Sequence, residues 1–498
     1  MGQTRSTNPE KVGLPYWMDR VLDVHSKGGG ELAVEPVHDL RVALRRCILI
    51  AEIMRDLDPG SDWKSMRKAG RRLFSRMGGS RDAHVLAEWI VKLGSPDDPS
   101  TAILLESLKA ENEKDQTAAK HAVRSFDRKQ WRSWIRKFSS HYRHVVSDRP
   151  ACESLLIGMW NTVLDLHRRA QKSRSRVAYH RLRVGLKKFR YAVENFLPSM
   201  YPGWAPDLKF AQDVLGEMHD LSVLRQAVAK NKRITNEGTR SAWLKKLDAE
   251  WSARLQQYRA KMSGKASPLR IWREGLAAER ELKSKGLSQL TEWGYFLTPD
   301  FARVRRVAKL ALQLYDGFAN CGLAGRDADI EERNILHAAA LLQEVGHFKK
   351  DRAHHKESYR MIRGVPPPPG WTKRDLQLVA LVARFHRRAL PRPDHKILKA
   401  YEFPLRQSVI LLAAILRFAN AFHAKHYRAV RRLDVEDVSG AIVVRAEGIS
   451  DRDPLGAKLS AAKRLLEFAC QRTVHILAPG TRMMPPRILR PATRIDAA

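Results

Sequence analysis

The chain has 498 residues, 44% of them hydrophobic, and 90 Lys and Arg against 54 Asp and Glu give it a formal net charge of +36. That length supports two or three domains with ordinary cores, and a charge far beyond what solubility requires implies a polyanionic partner: nucleic acid, an acidic membrane surface or a phosphate polymer. Cys47, Cys152, Cys321 and Cys470 form no C-x-x-C pair, which argues against a zinc site or disulfide framework, and the longest apolar run, Val409 to Leu416, stops at Arg417, too short to span a bilayer.

Residues 1–30 read as a tail. The stretch from Met1 to Trp17 has no long apolar core, so no signal peptide is expected; with reduced cysteines, the expected compartment is the cytoplasm, without a membrane partner. The first informative segment is His38-Asp39-Leu40-Arg41-Val42-Ala43-Leu44-Arg45-Arg46, which reads H-x-x-R-V-x-x-[RK]-[RK]. On a helix, offsets of zero, three and seven residues fall within an arc of about 60°, so His38, Arg41 and Arg45 share one face with Arg46 beside them. Leu40, Leu44, Cys47 and Ile48 form an apolar stripe on the other side, so the helix packs by one side and presents cations on the other. Lys64, Arg67, Lys68 and Arg71 repeat the device at offsets zero, three, four and seven. Residues 77–86 follow with the frame apolar-Gly-x-x-[RH]-D-x-x-V-L, carrying Arg81 and Asp82.

From about 100 to 175 the chain is rich in Ala, Lys, Glu, Gln and Leu with few breakers, which favours helix. The cationic motif then recurs as His180-Arg181-Leu182-Arg183-Val184-Gly185-Leu186-Lys187-Lys188, with Arg190 and Tyr191 next to it and an apolar stripe of Leu182, Leu186, Phe189 and Val193. Leu215 to Leu224 repeats the Gly-containing frame with His219 and Asp220. The two copies predict a tandem duplication of a helical bundle. The aspartates after each glycine read as helix-start caps that also ion-pair with the rails. Apart from Asp39, the two rails carry no carboxylate.

Residues 225–290 continue as helix, with Trp243, Leu244, Leu247 and Trp251 at helical spacing. Ser263-Gly264-Lys265 and Lys283-Ser284-Lys285-Gly286 read as linker punctuation, placing a domain boundary near 290. Helical patterns resume from Val304 to Leu314, Ile335 to Val345, Asp375 to His386 and Leu405 to Phe422, with Pro366 to Gly370 as an extended loop. Arg432 to Val435 and Ala441 to Arg445 predict a hairpin through Ser439-Gly440. A last helix is expected over about Lys458 to Gln471, and the end after 479 reads as a tail.

The duplicated H-x-x-R signature with its R-D and H-D segments resembles the CHAD family, the conserved-histidine α-helical domain. The resemblance implies two bundles related by a pseudo-twofold axis whose basic faces line a groove or pore for inorganic polyphosphate. It carries that role onto His38, Arg41, Arg45, Arg46, His180, Arg183, Lys187, Lys188 and Arg190, with Tyr191 beside them; Lys64, Arg67, Lys68 and Arg71 are expected to extend the groove. The chemistry suits the ligand. Polyphosphate has about one negative charge per residue and no bases, so Arg forks and Lys point charges serve it, whereas grooves for single-stranded nucleic acid interleave aromatic platforms with cations. Neighbouring cations push the imidazoles toward neutrality and bound phosphate pulls them toward charge, so binding is expected to strengthen at mildly acidic pH.

Downstream, Val307 to Asp316, His337 to Gly346, His355-Lys356-Glu357-Ser358 and Arg384-Phe385-His386-Arg387-Arg388 resemble the carboxy-terminal domain of the exopolyphosphatase and guanosine pentaphosphatase family, which has the HD-phosphohydrolase helical fold. The resemblance implies an accessory anion-contacting surface at His355, Ser358, His386, Arg387 and Arg388. An HD metal site needs His, His-Asp and Asp to polarise a water against phosphorus. This chain has Arg303, the pair Gln343 and Glu344, and Asn420 there, so no metal, cofactor or catalytic residue is expected. In those phosphatases cleavage belongs to a preceding actin-like domain with a D-x-G-S phosphate loop; Asp58-Pro59-Gly60-Ser61 matches that string but follows a helix rather than a buried strand and is taken as chance.

The expected protein is therefore mainly α: two pseudo-twofold-related bundles at 31–150 and 151–288, then an HD-like all-helical domain with a small β-hairpin at 295–478 and a tail at 479–498. Its expected partner is inorganic polyphosphate, bound without catalysis in the cytoplasm and at polyphosphate granules. A hydrolase acting on polyphosphate or a hyperphosphorylated nucleotide through the HD-like domain is the first rival reading, and an RNA or DNA binder the second.

Overall fold

The computed structural model describes residues 12–27, 34–77, 79–95, 97–325, 331–350, 352–422, 430–450 and 456–481, without the side chains at 27, 34–35, 79–83 and 111–120. The expected tails at 1–30 and 479–498 therefore lie largely outside the described residues, as do the side chains of Arg81 and Asp82. The chain forms two compact units, one of residues 1–297 with 366–372 and one of 298–365 with 373–498. Among the described residues, no helix is long and apolar enough to cross a membrane.

In the first unit the helices are α1 (Leu14–Lys27), α2 (Val34–Leu57), α3 (Trp63–Arg76), α4 (Gly79–Leu93), α5 (Pro99–Arg124), α6 (Arg128–Ser147), α7 (Arg149–Ser173), α8 (Arg176–Phe196), α9 (Tyr201–Lys230), α10 (Glu237–Met262), α11 (Pro268–Leu276) and α12 (Leu282–Leu297). Their starts are set by side chains that accept from orphan backbone donors: Asp98, Asp127, Asp148, Ser175, Asn236 and Ser267 each cap the helix that follows. The stripes expected to pack do so. Leu40, Leu44 and Cys47 of α2 and Leu182, Leu186, Phe189 and Val193 of α8 are almost wholly excluded from solvent, in one continuous core with Trp63, Trp131, Trp243 and Trp272.

The duplication is visible in the packing. α1 lies on α2, α2 on α3 and α4 on α5; α7 lies on α8, α8 on α9 and α9 on α10. The single helix α9 thus does the work of α3 and α4. Contacts between the halves include those of α6 with α7 and of α2 with α12, and two that join repeat counterparts, α2 with α8 and α4 with α9. An axis that exchanges α2 with α8, and α4 with the later part of α9, maps both contacts onto themselves, as a self-complementary twofold interface requires.

The expected linker at Lys283 to Gly286 is instead part of α12, and the first compact unit runs to Leu297. Gly286 is there for packing. A Cβ on it would sit 2.5 Å from the Pro369 carbonyl oxygen and 2.6 Å from the Trp371 ring.

In the second unit, α13 (Phe301–Asn320), α14 (Glu332–Leu342), α15 (His354–Gly364), α16 (Lys373–Arg384), α17 (Phe403–Ala421) and α18 (Ala457–Cys470) accompany strands β1 (Arg432–Val438), β2 (Ala441–Glu447) and β3 (Val474–Leu477). α17 is buried along most of its length, with Val409 to Leu416 inside the core, so the longest apolar run of the chain is a central helix. The expected hairpin is present. Ser439 and Gly440 both have positive φ, the combination that matches the twist of a two-residue hairpin, and Val435 lies opposite Val444. A third strand, β3, not expected, joins β2 in parallel with Ile476 beside Val444.

Candidate functional site

α2, α3, α4, α8 and α9 enclose a cavity of about 440 Å³ between the two repeats. Arg41 and Arg45 enter from α2, Arg71 from α3, and Arg183, Lys187 and Lys188 from α8, so six cations from three helices meet in one space. Ile48, Leu49, Phe74, Leu86, Val184 and Val223 form its apolar walls; Tyr191 and His219 add polar edges. Arg41 is 6% exposed, donates to the Met77 carbonyl and lies 4.9 Å from the centre of the Phe74 ring. Arg45 sits 5.3 Å from the same ring centre and reaches the Tyr191 hydroxyl at 3.5 Å. Both guanidinium groups are thus ordered by aromatic faces.

Among the described residues, two carboxylates share this space: Glu52 on α2 and Asp220 on α9. Glu52 accepts from the Lys188 ammonium at 2.6 Å and lies 3.5 and 3.7 Å from Arg71 and Arg67. Burial pushes its carboxyl up, but the Lys188 hydrogen bond and the charges of Lys188, Arg71 and Arg67 outweigh that and hold it below the usual range. Its repeat counterpart is Glu194 on α8, which takes Arg46 at 2.8 and 3.1 Å. The cation at the ninth position of each motif therefore crosses to the glutamate of the other repeat, Arg46 to Glu194 and Lys188 to Glu52. Sequence reasoning missed both acids. The signal was there, since each glutamate stands fourteen residues after its motif histidine, at an angle of about 40° from it on the helix.

The remaining expected residues divide. Arg46 does not line the cavity; it is sandwiched between Trp17, 4.1 Å away, and Tyr191, 4.8 Å away, and its pair with Glu194 is only 12% and 9% exposed. Arg190 turns from the cavity to donate to the Tyr201 hydroxyl at 3.1 Å and Gln212 at 2.6 Å. Arg67 reaches the site through Glu52, while Lys64 and Lys68 point to solvent from α3 and do not line it, so only half of that face joins the groove. His38 is half-buried outside the lining. His180 is exposed and holds its Nδ1 3.1 Å from Nδ1 of His219, which does line the cavity. Burial first, then Arg183, His180 and Lys187, push His219 down to about 4; burial and Arg183 lower His180. His219 and Asp220 lie inside α9, so Asp220 is not the helix-start cap the sequence suggested. Asp58, of the D-x-G-S string, follows the end of α2, accepts from the Trp63 indole at 2.8 Å and pairs with His141 at 2.7 Å: it fastens a turn.

In the second unit the four HD-type positions satisfy one another. The Arg303 guanidinium pairs with Glu344, and the Asn420 amide donates to Gln343 Oε1 at 2.7 Å. A cation and two amides do not suit a divalent metal at those positions. Of the expected anion surface, Ser358 is fully buried, donates to the Gln343 carbonyl and accepts from the Gly346 N–H, both at 2.9 Å, so its hydroxyl fastens two segments together instead of facing a ligand. His355 is 7% exposed, and its Nδ1 has no hydrogen-bond partner; burial, then Arg384, pushes it down to about 4. His386 is buried with Nδ1 donating to the Ala383 carbonyl at 2.7 Å and Nε2 3.3 Å from Nε2 of His354. Arg387 approaches the same His354 nitrogen at 3.3 Å, and Arg388 is exposed.

Residues 22–229 match the CHAD domain, and residues 290–441 match the Ppx/GppA phosphatase, domain III. The first match ends with α9, ahead of the three helices that complete the same compact unit. No curated protein matches the chain.

Proposed function

We propose that this CHAD domain, joined to a Ppx/GppA domain III, belongs to a protein that binds inorganic polyphosphate without cleaving it, and that the cavity between α2 and α8 is the principal site. Both domains fit polyphosphate-related work. The observation that carries the reading is convergence: two copies of one motif, 142 residues apart, send Arg41 and Arg45, Arg183 and Lys187 into a single space. Charge meant only for solubility has no reason to converge, because like charges brought together cost free energy unless an anion occupies the space between them. The cavity's aromatic groups hold the arginines and are not spaced as platforms for successive bases.

The second unit is read as an accessory anion-contacting module through Arg387 and Arg388, since both ring nitrogens of the buried His386 face the protein. The pairs Arg303 with Glu344 and Asn420 with Gln343 support the non-catalytic reading, since the usual metal ligands are replaced by groups that satisfy each other. The reading implies a cytoplasmic protein at polyphosphate granules.

Phosphate release from polyphosphate with magnesium and with manganese is the test of the non-catalytic part; steady turnover abolished by Glu344→Ala would overturn it. Competition against tRNA at equal total charge is the test of the ligand. Polyphosphate is expected to win at moderate salt, and binding to fall steeply as salt rises; tRNA winning would make the protein a nucleic-acid binder.

A further inference from the structure

The second unit holds a cluster that the reading above does not use. Glu344, His347 and His354 each place one ligand atom so that all three lie within 4.8 Å of one another. Glu344 and His347 flank the start of the single 3-10 turn Val345–Phe348 that follows α14, and His354 is the first residue of α15, with its ring centre 3.6 Å from that of His347. Two imidazoles and a carboxylate from two adjoining segments are the ligand types that suit zinc and its neighbours in the first transition row, with Zn–N and Zn–O separations of about 2.0–2.2 Å.

Two neighbours compete for Nε2 of His354. The Ala383 carbonyl accepts from His386 Nδ1, so the proton sits there and His386 Nε2 is an acceptor. His354 Nε2 lies 3.3 Å from that acceptor and 3.3 Å from the Arg387 guanidinium, which can only donate; an ion on His354 Nδ1 selects the tautomer whose Nε2–H goes to His386 over the one that accepts from Arg387. A ligating imidazole that donates its other N–H into a chain ending on a backbone carbonyl is the usual outer-shell arrangement of a metal site. His354 is 1% exposed, so its ring cannot turn without disturbing the core.

We propose that Glu344, His347 and His354 form a site for one divalent transition-metal ion, held in place by His386. It takes one of the four HD-type positions, Glu344, and turns away from the others: Arg303, Gln343 and Asn420 take no part. Arg303 is the competitor, because it pairs with one oxygen of Glu344 and leaves the other for the ion. The inference does not rest on the polyphosphate reading.

The test uses the full chain, stripped of polyanions at high salt and of metals by chelation, and titrated with Co2+ alone. The visible ligand-field bands report coordination, and equilibrium dialysis reports stoichiometry. One Co2+ per chain is expected, with a gain in melting temperature because the ion binds only the folded form. His347→Ala and Glu344→Gln, both at half-buried positions, should each weaken binding about 100-fold, and His386→Asn about 10-fold as an outer-shell change. Arg303→Ala should tighten it, since a competing cation is gone. His84→Ala, at an exposed His84–Glu88 pair 3.5 Å apart on α4, should change nothing. No stoichiometric Co2+, or binding that survives both His347→Ala and Glu344→Gln in variants that melt as the parent does, would overturn the proposal, as would weaker binding in Arg303→Ala.

Discussion

Arg46 with Glu194 and Lys188 with Glu52 are the same ion pair built twice, and they have opposite characters. The first is closed: one guanidinium nitrogen, Nη2, donates to both carboxylate oxygens, and the pair is nearly excluded from solvent and roofed by Trp17 and Tyr191. The second opens on the cavity, where Lys188 is 42% and Glu52 25% exposed and Arg67 and Arg71 crowd the same carboxylate. α1 makes the difference, because it supplies Trp17 to one side. A duplicated fold has thus kept one pair as a fastener between its halves and left the other within reach of a ligand. The lesson is that membership of a cationic motif does not assign a residue's role; what packs over it does.

Removing one partner of the closed pair should have the largest effect. Glu194→Gln leaves the Arg46 charge buried without its counterion, a change that costs about 3 kcal/mol in comparable pairs. Chemical denaturation should show that loss. Glu52→Gln should cost less, about 1 kcal/mol, because a pair that opens on solvent contributes little. The same substitution removes an internal anion from the cations around the cavity, so polyphosphate affinity should rise several-fold in a titration. If Glu194→Gln and Glu52→Gln behave alike in both measurements, the distinction between the pairs is wrong.

A smaller effect is expected from pH. His219 faces His180, Arg183 and Lys187 from α8, adjoins Asp220, and shares the cavity with Arg41 and Arg45 of α2. Its folded value, about 4, lies below the ordinary 6.5, so the folded state resists the proton. Stability from this group is full above 6.5 and falls as pH drops from there toward 4. Phosphate favours the imidazolium, so polyphosphate affinity should rise over the same window. Melting curves and titrations at several pH values check both signs, and His219→Gln should flatten both trends.

The sequence revealed those features that repeat or alternate. The rails, their packed stripes, the duplication and the hairpin at Ser439-Gly440 all follow from local periodicity. The partner acids were hidden because Glu52 and Glu194 sit past the end of the short motif, at a separation that is obvious only when both copies are aligned through four helical turns. Arg190 was expected among the ligands because the CHAD resemblance carries that role onto it, yet Tyr201 and Gln212 of α9 capture it, which no motif on a single helix can foresee. β3 was missed because four residues are too few to show alternation, and its pairing to β2 comes from a distant stretch of chain. The linker reading of Lys283 to Gly286 failed because that stretch has linker composition but is held as helix against Pro369 and Trp371.

The central claim, a shaped anion site where the two rails meet, is tested most directly by titrating polyphosphate into Arg41→Ala/Arg183→Ala and into Arg168→Ala/Arg169→Ala, whose parent residues are exposed on α7 and belong to neither rail. Both variants lose two positive charges. The account predicts about a 100-fold loss of affinity in the first, from two charge-assisted contacts worth about 1.5 kcal/mol each or more, and a change of about twofold or less in the second. Equal losses would show that diffuse surface charge, not the cavity, holds the polymer.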